Sequence, residues 1–257
     1  MDDFLLKYLN RAMPLSEKEV ISPVSLAHVV WDEGDHAMAA LALAKQCIQK
    51  VFGAEPSIDA ELLLTVMTEL TAQELGCQHL AHRLRLHPRK ILHLLGAVEL
   101  AGIWHHLKCF GREDTLINDR SKGYMANVSL ACQMFKIADP ASISFHRSWG
   151  AIFETFIVDL LIKKLPSDAQ IFYWRTADGS AEVDIVLQRG KVLYPIEVKS
   201  AVHVSESNAR KIDIFERYYE ADYEIAPGLV VYAGERYYTF SGGVIAVPWT
   251  LLAGVAD

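Results

Sequence analysis

The sequence predicts a mixed α/β fold, helical through roughly its first hundred residues and α/β from about Arg147 to the end. Three observations predict it. Up to about Gly102, apolar residues recur at spacings of three and four, with turn residues between the segments. After Arg147 a single helical stretch gives way to short runs rich in Val, Ile and Tyr that read as strands. The chain has 257 residues, 51% of them hydrophobic, which is enough to bury one large core or two modest ones, and two is the better expectation at this length.

Taken in order, Ser22-Pro23 opens one helix by placing a capping hydroxyl before a proline, with Leu26, Val29 and Val30 on its apolar face and Gly34 at its end. A longer helix runs through Ala39, Leu43, Cys47 and Val51 to Gly53, and Ser57 caps a third carrying Leu62, Leu63, Val66, Met67 and Leu70. Two short helices, 78–84 and 88–101, flank Leu86-His87 at the spacing of a helix-turn-helix. Residues 103–110 then read as a strand, Gly111-Arg112-Glu113-Asp114 as a turn and 115–117 as a returning strand. This unit is expected to be a winged helix with 88–101 as its recognition element.

The period changes after Arg147. Residues 149–165 read as an amphipathic helix with Ile152, Phe156, Leu160 and Lys163 along it, ended by Pro166. Strands at 171–175, 182–188 and 192–199 follow, the last two joined by a tight hairpin at Arg189-Gly190. A helix at 206–219 and strands at 229–232, 237–240 and 244–247 complete the pattern. With Ala138-Asp139-Pro140-Ala141-Ser142 as the boundary, the expected organisation is a helical N-terminal region (1–56), a winged-helix-like domain (57–138) and an α/β domain (139–257).

Composition narrows the function classes. A formal net charge of −7 argues against a protein that coats nucleic acid without specificity, because such binding is driven by Lys and Arg displacing counterions. Any nucleic-acid contact is therefore local. Cys47, Cys77, Cys109 and Cys132 are scattered, with no CxxC pair to hold zinc, and read as reduced core residues of a cytoplasmic protein. The start, MDDFLLKYLNRAMP, lacks the basic region and cleavage site of a secretory signal. The most apolar helical stretch, 91–104, is interrupted by His93 and Glu99 and falls short of the roughly 20 residues that span a bilayer, so no membrane partner is expected.

The chemistry gathers on the hairpin. Along a strand successive side chains alternate, so Glu197 and Lys199 share one face while Ile196 and Val198 take the other. A two-residue loop at Arg189-Gly190 puts Glu182 opposite Glu197 and Asp184 diagonally from it on the same face. Carboxylates brought together repel unless a cation or water neutralises them. Oxygen ligands without His or Cys favour Mg²⁺ or Mn²⁺ over zinc. Such an ion can activate water against a phosphodiester, with Lys199 positioning or deprotonating that water and stabilising the transition state. Pro195, which gives no N–H to the ladder, could introduce a bulge that shifts this register.

The sequences EVDIVL and PIEVKS, a short turn between them and the upstream helix GAIFETFIVDLL carry a family resemblance. They resemble the PD-(D/E)XK nuclease-like domain, of restriction-endonuclease-like α/β fold, found C-terminal to the ATPase module in a large group of predicted bacterial and archaeal AAA ATPases. That family also has a winged-helix segment followed by a K-x-Y strand and a helix, matched here by Lys122-Gly123-Tyr124-Met125 and 127–134, so the resemblance covers roughly residues 60–250. It implies a site made of Glu154, Asp184, Glu197 and Lys199, with Asp184, Glu197 and Glu154 around the metal. Three departures accompany it. There is no GxxxxGK[ST] phosphate loop, so ATP hydrolysis does not carry over and the architecture is expected here without its ATPase module. Asn127 and Ser129 stand where Asp and Gly are usual, and Asp159 where a second helix Glu is usual.

Arg83, Arg85, His87, Arg89 and Lys90 cluster around the turn and start of the recognition helix, where phosphates and base edges would be met, and Arg83, Arg85, Arg89 and Lys90 are the expected nucleic-acid contacts. His79, His82, His105 and His106 show no convergent acid or thiol in the sequence and read as packing residues. The resulting expectation is metal-dependent hydrolysis of DNA. Its rival is a catalytically silent scaffold acting as a DNA-binding or protein-interaction module, with an AAA ATPase or another protein as partner. Glu182 is either a fourth ligand or a surface acid.

Overall fold

The structure, a computed structural model, describes residues 4–11, 36–53, 58–111 and 121–254. The expected helix at Ser22-Pro23, the Ser57 cap and the strand at 115–117 lie outside those residues. The chain is of mixed α/β class and divides into two compact units. Among the described residues, the helical unit holds 36–53, 58–108 and 121–159, and the sheet unit holds 4–11, 109–111 and 160–254.

Helix α1 (Phe4–Leu9) belongs to the sheet unit, where the Tyr8 ring meets Tyr194 edge-on. The helical unit runs α2 (His36–Phe52), α3 (Ala60–Glu69), β1 (Gln73–Leu75), α4 (Cys77–Leu84), α5 (Pro88–Leu100), β2 (Trp104–Leu107), β3 (Ser121–Met125) and α6 (Val128–Met134). Asp59 caps α3 by accepting from the Leu62 amide at 2.9 Å. Between α4 and α5 the chain turns on Arg85, which takes the left-handed conformation at φ 53° and lets the Leu86 amide reach back to Ala81 O at 2.9 Å. His87 and Pro88 then start α5 as N-cap and first residue. Leu63, Met67, Leu80, Ile91, Val98 and Trp104 are among the residues of one shared core.

The helical reading to Gly102 omits one element. Gln73–Leu75 is a strand, paired with β3, and β3 also pairs with β2, giving a three-stranded sheet in the order β1-β3-β2. The K-x-Y segment is thus the central strand of that sheet. Gly123 is required there because a Cβ would stand 1.9 Å from Trp104 Cζ2. Strand β2 ends at Leu107, and Cys109–Gly111 belongs to the sheet unit instead of continuing the strand to Phe110. There the Phe110 amide donates to Tyr173 O at 2.7 Å, and its ring packs edge-on against Phe172, Tyr219 and Tyr223.

Helix α7 (Trp149–Lys164) departs from the amphipathic expectation: Ile152, Phe153, Phe156, Ile157, Val158 and Leu161 are all buried, on more than one face. A helix apolar around its circumference is an interior helix. Strands β4 (Ala169–Arg175), β5 (Glu182–Arg189) and β6 (Val192–Lys199) follow as an antiparallel meander. Helix α8 (Arg210–Tyr219) leads through β7 (Glu224–Ile225) to β8 (Leu229–Tyr232), parallel to β6, and then come β9 (Tyr238–Thr239), β10 (Ile245–Pro248) and α9 (Trp249–Ala253). The seven-stranded sheet is ordered β4-β5-β6-β8-β10-β9, with β7 beside β6. Strand β8 is buried on both faces, as a parallel interior strand requires.

Pro195 causes no bulge. Strand β6 pairs with β7 at Val192 and Leu193 and with β8 from Ile196 onward, so the missing N–H falls in the gap between two partners. All four cysteines are buried thiols outside any disulfide. Among the described residues no helix is long and apolar enough to cross a membrane.

Candidate active site

The hairpin turns one residue later than the sequence suggests. Arg189 pairs with Val192, so the loop is Gly190-Lys191, with Gly190 at φ 61° in the first loop position, where a two-residue type II′ turn needs glycine. The register therefore moves by two residues, which preserves the face of every side chain and changes its neighbour. The ladder runs from Arg189–Val192 to Ile185–Ile196, a register on which Glu182 does not fall opposite Glu197 and Asp184 is the nearer acid in count.

Strand β5 is also bulged at this point. Phe172 pairs with Val186 and Trp174 with Val183, so three steps on β5 oppose two on β4 and the extra residue falls at Asp184 and Ile185. Bulges re-aim side chains beside functional sites. Here the Val198 amide donates to Asp184 Oδ2 at 2.9 Å and holds the carboxylate over β6. Glu182 pairs with Arg175 across β4 instead, with 3.7 Å between Arg175 Nη1 and Glu182 Oε2.

Glu197 is fully buried, and Asp184 nearly so. Lys199 Nζ donates to Glu197 Oε2 at 2.6 Å and to Val198 O at 3.0 Å, and stands 3.5 Å from Asp184 Oδ2. Burial, and after it the charge of Asp184, pushes the Glu197 carboxyl up to about 8, against the opposing pull of Lys199 and Lys211. Burial pulls the Lys199 ammonium the other way, but Asp184 and Glu197 outweigh it and the net direction is up. The site thus joins a cation to a carboxyl that readily holds a proton.

Lys211, in the first turn of α8, is the residue the motif does not reveal: its Nζ lies 4.0 Å from Glu197 Oε2. The crossover between β6 and β8 brings it there, and no spacing along the chain encodes that approach.

Glu154 is assigned to the helical unit, and Asp184, Glu197 and Lys199 to the sheet unit. Its Oε1 accepts from the buried Lys122 Nζ at 3.0 Å and from Tyr124 OH at 2.8 Å, so both polar residues of the K-x-Y strand converge on it. Thr155, one residue on, shares a hydrogen bond with Thr71 at 2.8 Å. Asn127 caps α6 through its Oδ1 and the Leu130 amide at 3.0 Å, the same service an Asp would give. Two histidines have acid partners that the sequence does not disclose: His106 Nδ1 is 2.7 Å from Glu99 Oε1, and His105 Nε2 is 3.6 Å from Asp159 Oδ1.

Of the basic cluster, Arg83 is paired with Glu69 and Lys90 lies 4.7 Å from the centre of the Phe52 ring. Arg85 and Arg89 are exposed.

The oxygen donors suit the expected divalent ion. Glu197 Oε1 is sealed from solvent and meets no hydrogen-bond donor, an acceptor that a proton or a cation would satisfy. Among the described residues no three or more His, Cys, Asp or Glu side chains assemble to hold a metal. Asp184 and Glu197 are the two oxygen donors that would hold such an ion.

Residues 149–252 match the family model described as "Domain of unknown function (DUF4143)", consistent with a C-terminal domain of AAA-ATPase-associated proteins. The chain is 27% identical over 127 residues to the uncharacterized proteins Rv2008c of Mycobacterium tuberculosis (strain ATCC 25618 / H37Rv) and Mb2031c of Mycobacterium bovis (strain ATCC BAA-935 / AF2122/97). Each alignment covers 49% of this chain and 27% of the relative, so the chain spans about a quarter of the length of the curated relatives it matches. No solved structure matches it.

Proposed function

We propose that the sheet unit hydrolyses DNA phosphodiester bonds with the help of a divalent ion. One observation carries this reading: Asp184, Glu197 and Lys199 converge beside a β-bulge, with Lys199 Nζ between the two carboxylates and Glu197 Oε1 buried without a donor. Asp184 and Glu197 would hold the ion. When bound, it would supply Lewis-acid stabilisation of charge on the phosphate and a more acidic water.

The residues themselves do the rest. Glu197 must release its proton to act as a ligand, and the raised position of its carboxyl makes that release a step near neutral pH. Lys199, whose ammonium is held in its charged form, holds the two carboxylates together and is poorly suited to accept a proton. The Val198 amide keeps Asp184 in place through this exchange. In the helical unit, the exposed Arg85 and Arg89 are the better placed of the four basic residues to meet DNA phosphates, with Arg83 and Lys90 already engaged. The helix-turn-helix spacing of α4 and α5 supports a winged helix there, and the resemblance supports partnership with an AAA ATPase.

A second reading has its own support. Lys199 already neutralises the carboxylates, and no third acid joins them among the described residues. A cluster satisfied in this way is compatible with a silent scaffold that binds nucleic acid or protein. Calorimetric titration of Mg²⁺ and Mn²⁺ into wild type and Asp184→Ala, beside a plasmid-nicking assay, separates the two. Metal uptake and nicking, both lost in the variant, support hydrolysis; DNA retention with neither supports the scaffold.

A further inference from the structure

We propose that Lys211 is the group through which this site grips a backbone phosphate. The inference rests on the phosphodiester reading above and names the residue that meets the substrate. An approaching phosphodiester is repelled by the acids that would bind the ion, so the site needs a cation turned toward solvent.

Lys199 cannot be that cation in this arrangement. An ammonium has three N–H groups, and three acceptors surround this one, Glu197 Oε2 at 2.6 Å, Val198 O at 3.0 Å and Asp184 Oδ2 at 3.5 Å. Lys211 is the converse case. It stands 4.0 Å from Glu197 Oε2, close enough to feel the charge but beyond hydrogen-bond distance, and its side chain is 45% exposed. Its helix is well fixed: the neighbouring Ile212 and Phe215 are buried against the sheet, and the turn before it is closed by Ser205 and Asn208 capping each other. A flexible stem on a rigid helix places a compact, strongly hydrated charge beside the buried acids, which suits a phosphate met as a point charge.

The test is fluorescence anisotropy of a fluorescein-labelled DNA duplex of about 20 base pairs, titrated in EDTA over a range of salt concentrations. Lys211→Ala should weaken binding by about three- to tenfold and lower the slope of log affinity against log salt by about one, while Lys211→Arg restores the slope. The thermal midpoint of the alanine variant should equal that of wild type, which separates a lost phosphate contact from a loosened fold. Equal affinity and equal slope in wild type and Lys211→Ala overturns the proposal, as does a wild type that binds no duplex. If Lys211→Ala behaves as expected but wild type neither takes up Mg²⁺ nor nicks plasmid, the phosphate contact stands and the hydrolytic reading falls.

Discussion

Lys199 Nζ donates to one oxygen of Glu197 at 2.6 Å, while the other oxygen of the same carboxyl is buried and meets no donor. One half of Glu197 is neutralised and the other is left with an unmet demand. That asymmetry has a measurable cost when the carboxyl ionises.

The cost depends on pH in a defined direction. The Glu197 carboxyl is raised in the folded protein from 4.5 to about 8, so the folded state resists losing this proton and the unfolded state does not. The penalty is absent below about pH 4.5, grows as pH climbs and is complete above about pH 8. Lys199, raised above its ordinary 10.5, stays charged throughout and adds nothing to the slope. Urea unfolding in EDTA should show wild type losing a few kcal/mol of stability between about pH 5 and about pH 9. Glu197→Gln should flatten that decline, and a parallel decline in the two proteins would contradict this account.

Glu154→Gln tests what the helix glutamate does in its own unit. Its Oε1 receives both Lys122 Nζ and Tyr124 OH, and the Lys122 side chain is almost entirely buried. The variant removes the charge from one acceptor of a buried ammonium, and a loss of about 2–4 kcal/mol is expected in chemical denaturation. Magnesium affinity of the folded variant, measured by calorimetry, should match wild type. A large fall in affinity with little loss of stability would instead make Glu154 a ligand.

Two glycines should respond in opposite directions to alanine. At Gly123 the added Cβ would stand 1.9 Å from Trp104 Cζ2, so Gly123→Ala should cost about 1–3 kcal/mol or more and shift the near-ultraviolet signal of the tryptophan. Gly96, inside helix α5, meets nothing within 4 Å, and Gly96→Ala should stabilise by about 0.5–1 kcal/mol. Thermal midpoints moving the same way in both variants would refute the packing argument.

Arg85 pays a backbone cost for its position. It holds φ 53° at the end of α4, where glycine is favoured. Arg85→Gly should raise stability by about 0.5–1 kcal/mol and, by removing an exposed cation from the turn, lower the salt dependence of duplex binding by about one charge. Stability rising with the salt dependence unchanged would remove Arg85 from the DNA surface.

Local pattern was enough to find most elements, because periodicity and caps are local properties. Helices α4 and α5 lie within one residue of their expected spans, and the meander of β4, β5 and β6 follows its Val- and Ile-rich runs. The sharing of one face by Glu197 and Lys199 was legible because strand alternation is fixed by the backbone. The neighbour of Glu197 was not, because Gly190 serves as the first loop residue instead of the second, and a turn's conformation is not spelled out by its letters. Helix α7 misled because a subset of its apolar residues satisfies an amphipathic template while Phe153, Ile157 and Val158 fill the remaining faces. Lys211, and the acids facing His105 and His106, are contacts between elements distant in sequence, which only the assembled fold supplies.

The surplus residue in β5 makes spacing as much a determinant as identity. Strand β4 holds Glu182 and Val183 in step on one side, and β6 holds Ile185 and Val186 in step on the other, and Asp184 sits where the two ladders disagree by one. Shorten that stretch by a single residue and both pairings could not be kept: either the aspartate would turn from Glu197, or Glu182 would lose Arg175. A related chain could therefore keep every letter of the motif and still, through one deletion, have no site at all.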